Sequence, residues 1–542
     1  MSEKRKNDYL LQGGILAIAG LITRFIGLVY RIPLTRIVGT EGMAYYNTAY
    51  EIYNIALLVS TYSVPVAVSK LIADKDSRGQ YINSNRIFRV GMLLSSGIGL
   101  IASLILFIFA KNLASFMKWP SAAIPLRVLA PTIFVFSIMG IIRGLFQGKR
   151  TMVPTAFSQI IEQIFNAIFS VLAAYLLIRA HQDSAEAAAY GAAGGTTGTL
   201  VGAIFGLIFL VFIYSINSGY FTRKCLKDHT GERDSDGQIA KMILLTMLPI
   251  ILSQTIYQLS GILDNYMFSR IMFGKGMEEA EKAVLYEAYS NKYKWMYNLP
   301  VAIASAFGVS IVPTLSATYK QKNLDSVREK VASSIKVNMV VAIPSAVGLS
   351  FLGGPILLLL FNKTYTPLSG RLMTLGGIAV VFFALSTLTN GILQGIDHLR
   401  LPVIHSAISL GVHILLLYIL VGPLNFGAYG LVIGNVTYGL LVCILNWISI
   451  GDILDYRQEV RTTFLIPLAA SMIMGLLAFG VFKGLFVLSH SNSVAVIIAI
   501  IVAVPVYFAA LLLLKGVSED ELRGFPKGDF LVLAAKKMRL LR

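Results

Sequence analysis

Apolar runs of about twenty residues recur from one end of the 542-residue chain to the other, separated by short polar stretches. Each is long enough to cross a hydrocarbon core of about 30 Å. They predict helical crossings at about 10–34, 44–70, 88–110, 124–147, 153–178, 190–215, 238–272, 289–318, 332–361, 370–395, 401–421, 428–450, 463–483 and 493–515. Polar residues inside these runs fall on single helical faces. In the fifth span Gln159, Glu162, Gln163, Asn166 and Ser170 lie at i, i+3, i+4, i+7 and i+11, one face at 3.6 residues per turn. A carboxylate there must look at protein or water, because hydrocarbon offers it no partner.

The pattern is written twice. Gly144-Leu-Phe-Gln147-Gly148 followed by Pro154 returns as Gly391-Ile-Leu-Gln394-Gly395 followed by Pro402. Gly191, Gly194 and Gly198, entering the sixth span, match Gly427, Gly430 and Gly434, entering the twelfth. Val64-Pro65 has its counterpart in Val312-Pro313. Corresponding spans are six apart, so the halves run the same way through the membrane, as in parallel-repeat transporters. The expected organisation is a six-helix lobe over 1–237, a second over 238–455, two further helices over 456–515, and a tail over 516–542. The tail ends FLVLAAKKMRLLR, which reads either as a helix lying on the inner membrane surface or as a solvated basic tail.

Composition and charge sharpen this picture. With 56% hydrophobic and 14% charged residues and a mean hydropathy of +0.71, an ordinary soluble protein is excluded. The net charge of +18 is distributed as topology rather than as a nucleic-acid surface. Lys75, Arg78, Arg86, Lys149, Arg150, Arg223, Lys224, Arg328 and Arg400 all fall in alternate loops, which predicts that those loops, and both termini, are cytoplasmic. The first apolar run is a full-length span carrying Arg24 and Arg31 rather than a cleavable leader. The loop with Glu278, Glu279, Lys282 and Glu287 is read as outer. Two cysteines, Cys225 and Cys443, imply no disulfide framework.

No GxxxxGK[ST], HExxH, CxxC or GxSxG occurs, and the six histidines are scattered. This points away from an enzyme, a cofactor or a metal and toward a machine that moves a substrate. The remaining polar stripes mark where. Gly20, Arg24, Gly27 and Arg31 share a face of the first span, and Asn47, Tyr50, Glu51 and Asn54 one of the second. Gln254, Tyr257, Gln258, Gly261, Asp264 and Asn265 line the seventh, and Asn291, Lys294, Asn298 and Ser305 the eighth. These are equivalent pairs in the two halves, so a polar, partly basic cavity is expected between them. Arginine there suits phosphate. Arg24 is read as a substrate cation or as the ion-pair partner of Glu51, and Arg143 with Glu162 as a structural or coupling ion pair.

Several of these stretches together resemble the MurJ-type lipid II flippases and their stage V sporulation protein B relatives. They are Thr23-Arg24-Phe-Ile-Gly27, Arg36-Ile-Val-Gly39, Val64–Asp74, Arg143–Gln163, Leu299-Pro300 and Ser310–Ser316. The resemblance implies an all-helical, two-lobed transporter of the wider multidrug and lipid-linked-polysaccharide exporter superfamily. It would sit as a monomer in the cell membrane and carry a lipid-linked oligosaccharide diphosphate to the outer leaflet by alternating access. Coupling would be to a monovalent cation or the membrane potential. By position Arg24 matches the family arginine of the first span. Its second arginine falls at Tyr30 beside Arg31, that of the second span at Val59, and that of the eighth at Trp295 beside Lys294. Asp264 matches an acid some relatives use for sodium, whereas Ser409 and His413 stand where its partners are expected. The substrate set so assigned is Arg24, Arg31, Glu51, Asn54, Lys294 and Asn298, with Asp264 for ion coupling. A flippase for another undecaprenyl-diphosphate-linked polysaccharide unit, a cation-coupled drug extruder and a non-transporting scaffold are the rival readings.

Overall fold

A computed structural model describes residues 3–58, 63–309, 312–523 and 528–537, with no β-strand among them. Hydrocarbon demands this outcome, since a helix satisfies its own backbone. Ten of the described helices are long and apolar enough to cross a membrane, or eleven if one bent pair forms a single span. Their outward faces carry exposed Leu93, Ile101, Phe212 and Ile501, apolar side chains that lipid would cover.

The chain divides into two compact units, Met1–Val284 and Leu285–Arg542. The first begins with α1 (Glu3–Leu57), which is two arms joined at Gly39, whose φ of 77° and ψ of 177° interrupt the helix. The arms fold back on each other. Tyr30 Oη and Tyr46 Oη, sixteen residues apart, lie within 3.4 Å, whereas a continuous helix would separate them by about 24 Å. There follow α2 (Ser63–Ser77), α3 (Tyr81–Ile108), α4 (Ala110–Phe116), α5 (Ala123–Gly148), α6 (Val153–Ala180), α7 (Ala187–Cys225) and α8 (Asp236–Gly274). One core draws Val68 and Ile72 from α2, Phe88 from α3, Met139 and Leu145 from α5, Leu210 from α7, and Ile239 and Ile243 from α8.

The glycines of α7 set its distance from α6. A Cβ on Gly198 would lie 2.1 Å from Ser170 Oγ and 2.4 Å from the Ser170 backbone nitrogen. The small-residue spacing therefore lets two backbones touch.

The repeat places α8 at the head of the second half, near residue 237, yet its contacts tie it to the first unit at both ends. At its start, α8 and the α7–α8 linker pair with the α2–α3 loop through Lys75–Asp234 at 2.5 Å and Arg86–Asp236 at 2.6 Å. Asp228 accepts from the Ile82 backbone N–H at 2.8 Å. At its other end Asn265 reaches Thr48, Glu51 and Trp119.

The division falls within α9 (Glu279–Glu287). The second unit continues through a wide π turn, Ala288–Tyr293, into α10 (Lys294–Val309), α11 (Val312–Lys320) and α12 (Leu324–Phe361). Helices α13 (Pro367–Gly376) and α14 (Ala379–Gly395) meet at a 48° bend. Then come α15 (Arg400–Val421), α16 (Ala428–Leu454), α17 (Ile466–Ser489), α18 (Asn492–Leu513), α19 (Glu519–Arg523) and α20 (Gly528–Lys537). Leu352 of α12, Phe482 of α17 and Val496 of α18 share one core, so the two late helices pack on the second unit. In the tail, Val532 of α20 is buried while Leu533, Lys536 and Lys537 are exposed.

Candidate functional site

The α5–α6 hairpin turns at Lys149 and Arg150, the latter with φ 63°. Lys149 is the anchor of this turn, holding Asp76 at 2.8 Å, and Lys224 reaches the same carboxylate at 3.2 Å. Burial pushes the Lys149 ammonium below its usual range, and Asp76 opposes the shift. Asp228, in the α7–α8 linker, goes the other way. Burial alone would raise it, but hydrogen bonds from Ile82 and Thr230 hold its carboxyl below the usual range.

Within the hairpin, Arg143 of α5 meets Glu162 of α6 at 2.8 Å, with the side chains 13% and 21% exposed. Arg143 Nε also donates to Ser158 Oγ at 3.0 Å. The polar face of α6 then divides. Its far end is structural, as Ser170 Oγ donates to Asn166 Oδ1 at 2.9 Å and to the Gly195 carbonyl at 2.7 Å. Its near end opens on a cleft of about 250 Å³ lined by Thr23, Arg143, Gln159, Glu162 and Gln163.

Arg24 lies beside this cleft on α1. It is exposed and, among the described residues, forms neither an ion pair nor a hydrogen bond. The Arg24–Glu51 ion pair considered above is therefore not formed. Glu51 instead accepts from Asn265 Nδ2 at 2.6 Å, while Asn265 Oδ1 accepts from the Trp119 indole at 2.7 Å. Arg31 is half-buried, donates to Asn47 Oδ1 across the α1 arms, and sits 5.5 Å from the Tyr46 ring centroid. Asn54 is half-buried on the second arm, and Asp264 is buried next to Asn265. The side chains of Gln254, Tyr257, Gln258 and Ser305, and residue Val59, lie outside the described residues.

In the second unit Lys294 is half-buried with Nζ 5.4 Å from the Tyr289 ring centroid, and Asn298 is exposed. His405, in α15, has Nδ1 2.7 Å from Asn446 Oδ1 and Nε2 3.2 Å from Ser449 Oγ. Both of its ring nitrogens are engaged by neighbouring side chains.

Two arrangements escape a reading at helical periodicity. Glu287, grouped above with the charges of an outer loop, is fully buried and pairs at 2.8 Å with Lys292, also fully buried. They are five residues apart, and the π turn puts them together. Lys282, assigned to the same loop, is 1% exposed. Its Nζ donates to the Lys118 carbonyl at 2.8 Å and lies 4.7 Å from the Trp119 ring centroid. Burial depresses its ammonium, against the pull of Glu279.

Polar stripes inside packed apolar helices and charges paired between those helices define a multi-pass helical membrane protein. Residues 10–319 match the sequence model described as polysaccharide biosynthesis protein, and the chain belongs to that family. Residues 295–419 also match the MatE model. Among curated relatives, the lipid II flippase MurJ of Bacillus subtilis is 25% identical over 517 residues, covering 92% of this chain and 93% of its own. Stage V sporulation protein B of the same organism is 22% identical over 524 residues, covering 96% and 98%. The fold is shared with solved structures. A lipid II flippase MurJ in an inward closed conformation aligns with a TM-score of 0.67 at 16% identity, covering 91% of this chain and 97% of that one. An inward-facing MATE transporter of the MOP superfamily aligns with a TM-score of 0.64 at 17% identity, over 80% and 94%. The chain is thus a multi-pass cell-membrane protein with that fold.

Proposed function

We propose that this protein is a flippase that carries a lipid-linked peptidoglycan precursor, lipid II, from the inner to the outer leaflet by alternating access. The observation that carries the reading is Arg24, a cation on an apolar helix that is exposed and forms no pair among the described residues. A charge left so within a membrane span is retained for something it binds, and guanidinium matches a diphosphate. Full-length similarity to a lipid II flippase supports the substrate class. Arg31, Glu51 and Asn54 in the first unit, and Lys294 and Asn298 in the second, complete the proposed substrate set. Arg143 and Glu162 serve as a structural pair, and Asp264 is assigned to ion coupling. The chain crosses the membrane fourteen times with both termini inside, works as a monomer, and draws on a monovalent cation or the membrane potential.

The test is complementation in cells whose own lipid II flippase is switched off, scoring growth and lipid II exposed at the outer surface. Rescue by the native protein, lost in Arg24→Ala at equal membrane abundance, is the expected result. Failure of the native protein to rescue, when present in the membrane, would redirect the assignment to another polyprenyl-diphosphate-linked glycan. Full rescue by Arg24→Ala would remove Arg24 from the site.

A further inference from the structure

The cleft beside Arg24 has a chemistry that the diphosphate does not use. Its two charges cancel, because Arg143 and Glu162 are paired at 2.8 Å. What faces the space otherwise is neutral. Gln159 and Gln163 are half-buried, one turn apart on α6, and neither amide has a hydrogen-bond partner among the described residues. A primary amide offers two donors and two acceptor lone pairs, and leaving it half-buried without a partner is unfavourable unless water or a ligand completes it. Phe136 and Pro65 supply apolar wall to the same space. Two amides and an aromatic ring lining one cleft suit a pyranose, whose hydroxyls both donate and accept and whose C–H faces stack on rings. They do not suit an anion, which would meet the Glu162 carboxylate, or a bare cation, which would meet Arg143.

The position is also right. Thr23 lines the cleft and Arg24 is the next residue. One turn on, a Cβ built at Gly27 would lie 3.4 Å from Gln163 Nε2, so α1 and the amide face of α6 are in direct apposition. We infer that Gln159 and Gln163 form a carbohydrate subsite in the first unit, taking the sugar carried by a polyprenyl diphosphate while Arg24 takes the diphosphate. The inference rests on the proposed flippase reading and adds to it the residues that read the sugar.

The test uses purified full-length protein in lipid nanodiscs and two probes, undecaprenyl diphosphate and the same lipid bearing one N-acetylhexosamine. The native protein should bind the sugar-bearing lipid more tightly. Gln159→Met with Gln163→Met, which keeps side-chain length and removes the amides, should erase about tenfold of that preference, the worth of one to two net hydrogen bonds. Affinity for the sugar-free lipid should hold, and Arg24→Ala should weaken both lipids alike. If the double variant does not fold, Gln163→Met alone reads the same ratio. An unchanged ratio in a folded variant overturns the subsite. Equal native affinity for the two lipids also overturns it, yet leaves the diphosphate reading standing. Binding of neither lipid sinks the lipid-linked reading and the subsite together.

Discussion

The pair Glu287–Lys292 offers the cleanest quantitative test of the fold. Both side chains have zero exposure and their charged atoms are 2.8 Å apart. The Lys292 ammonium donates in addition to the Thr364 carbonyl, and Glu287 accepts from Asn291 Nδ2 at 3.0 Å. Lys292→Met would remove the charge that balances the carboxylate while leaving it out of reach of water. The expected loss is that of removing one partner from a buried ion pair, about 3–5 kcal/mol. Glu287→Leu should lose a similar amount. The double variant Glu287→Leu/Lys292→Met, with neither charge present, should recover most of it, because desolvating an ion pair offsets much of its attraction. The assay is equilibrium unfolding of the purified protein in mixed micelles, run as a double-mutant cycle with coupling energy as the readout. Single losses below about 1 kcal/mol, combined with simple additivity, would refute the claim that these charges are held against each other away from water.

Two further outcomes follow from the geometry. Gly198→Val places methyl groups where Ser170 already stands, so α6 and α7 must part; a loss of about 1–3 kcal/mol is expected in the same unfolding assay, and an unchanged stability contradicts the backbone contact. Asp228 titrates below the usual range, so its contribution is complete above the ordinary aspartate value of about 3.9 and is lost as pH falls through its own lower value. Asp228→Asn should mimic that loss at neutral pH and speed maleimide labelling of Cys225, which lies three residues before it with Sγ 3.6 Å from the Tyr81 carbonyl; an unchanged labelling rate would detach Asp228 from the linker's order.

Ten of the described helices, or eleven with the bent pair, were legible as crossings because lipid requires the backbone to satisfy itself and favours apolar side chains along each run. The α6 stripe was legible for the same reason, since polar side chains at 3.6-residue spacing stand out against Phe and Ile. Less visible was how one stripe splits in two. Asn166 and Ser170 look like Gln159 and Gln163 in sequence, and only the glycine wedge of α7 decides which pair is packed and which faces space. Burial of Glu287 and Lys292 was hidden by their five-residue separation, which no ordinary helix brings together. Periodicity likewise says nothing about where α8 belongs, which is decided by the neighbours that Ile239, Ile243 and Asn265 touch.

The attachment of α8 bears on the order in which the chain is built. Translation delivers Thr48, Glu51 and Trp119 more than a hundred residues before Asn265, the group on α8 that engages all three. Until that residue enters the bilayer, its hydrogen bonds with the Trp119 indole and the Glu51 carboxylate cannot form. The contacts that join α8 to the rest of the first unit therefore form only once that helix has been inserted. A gene cut at residue 237 would separate these groups, and one cut after residue 284 would keep them together. Two co-expressed pieces should reassemble better from the second cut, because it leaves the Asn265 contacts within one piece.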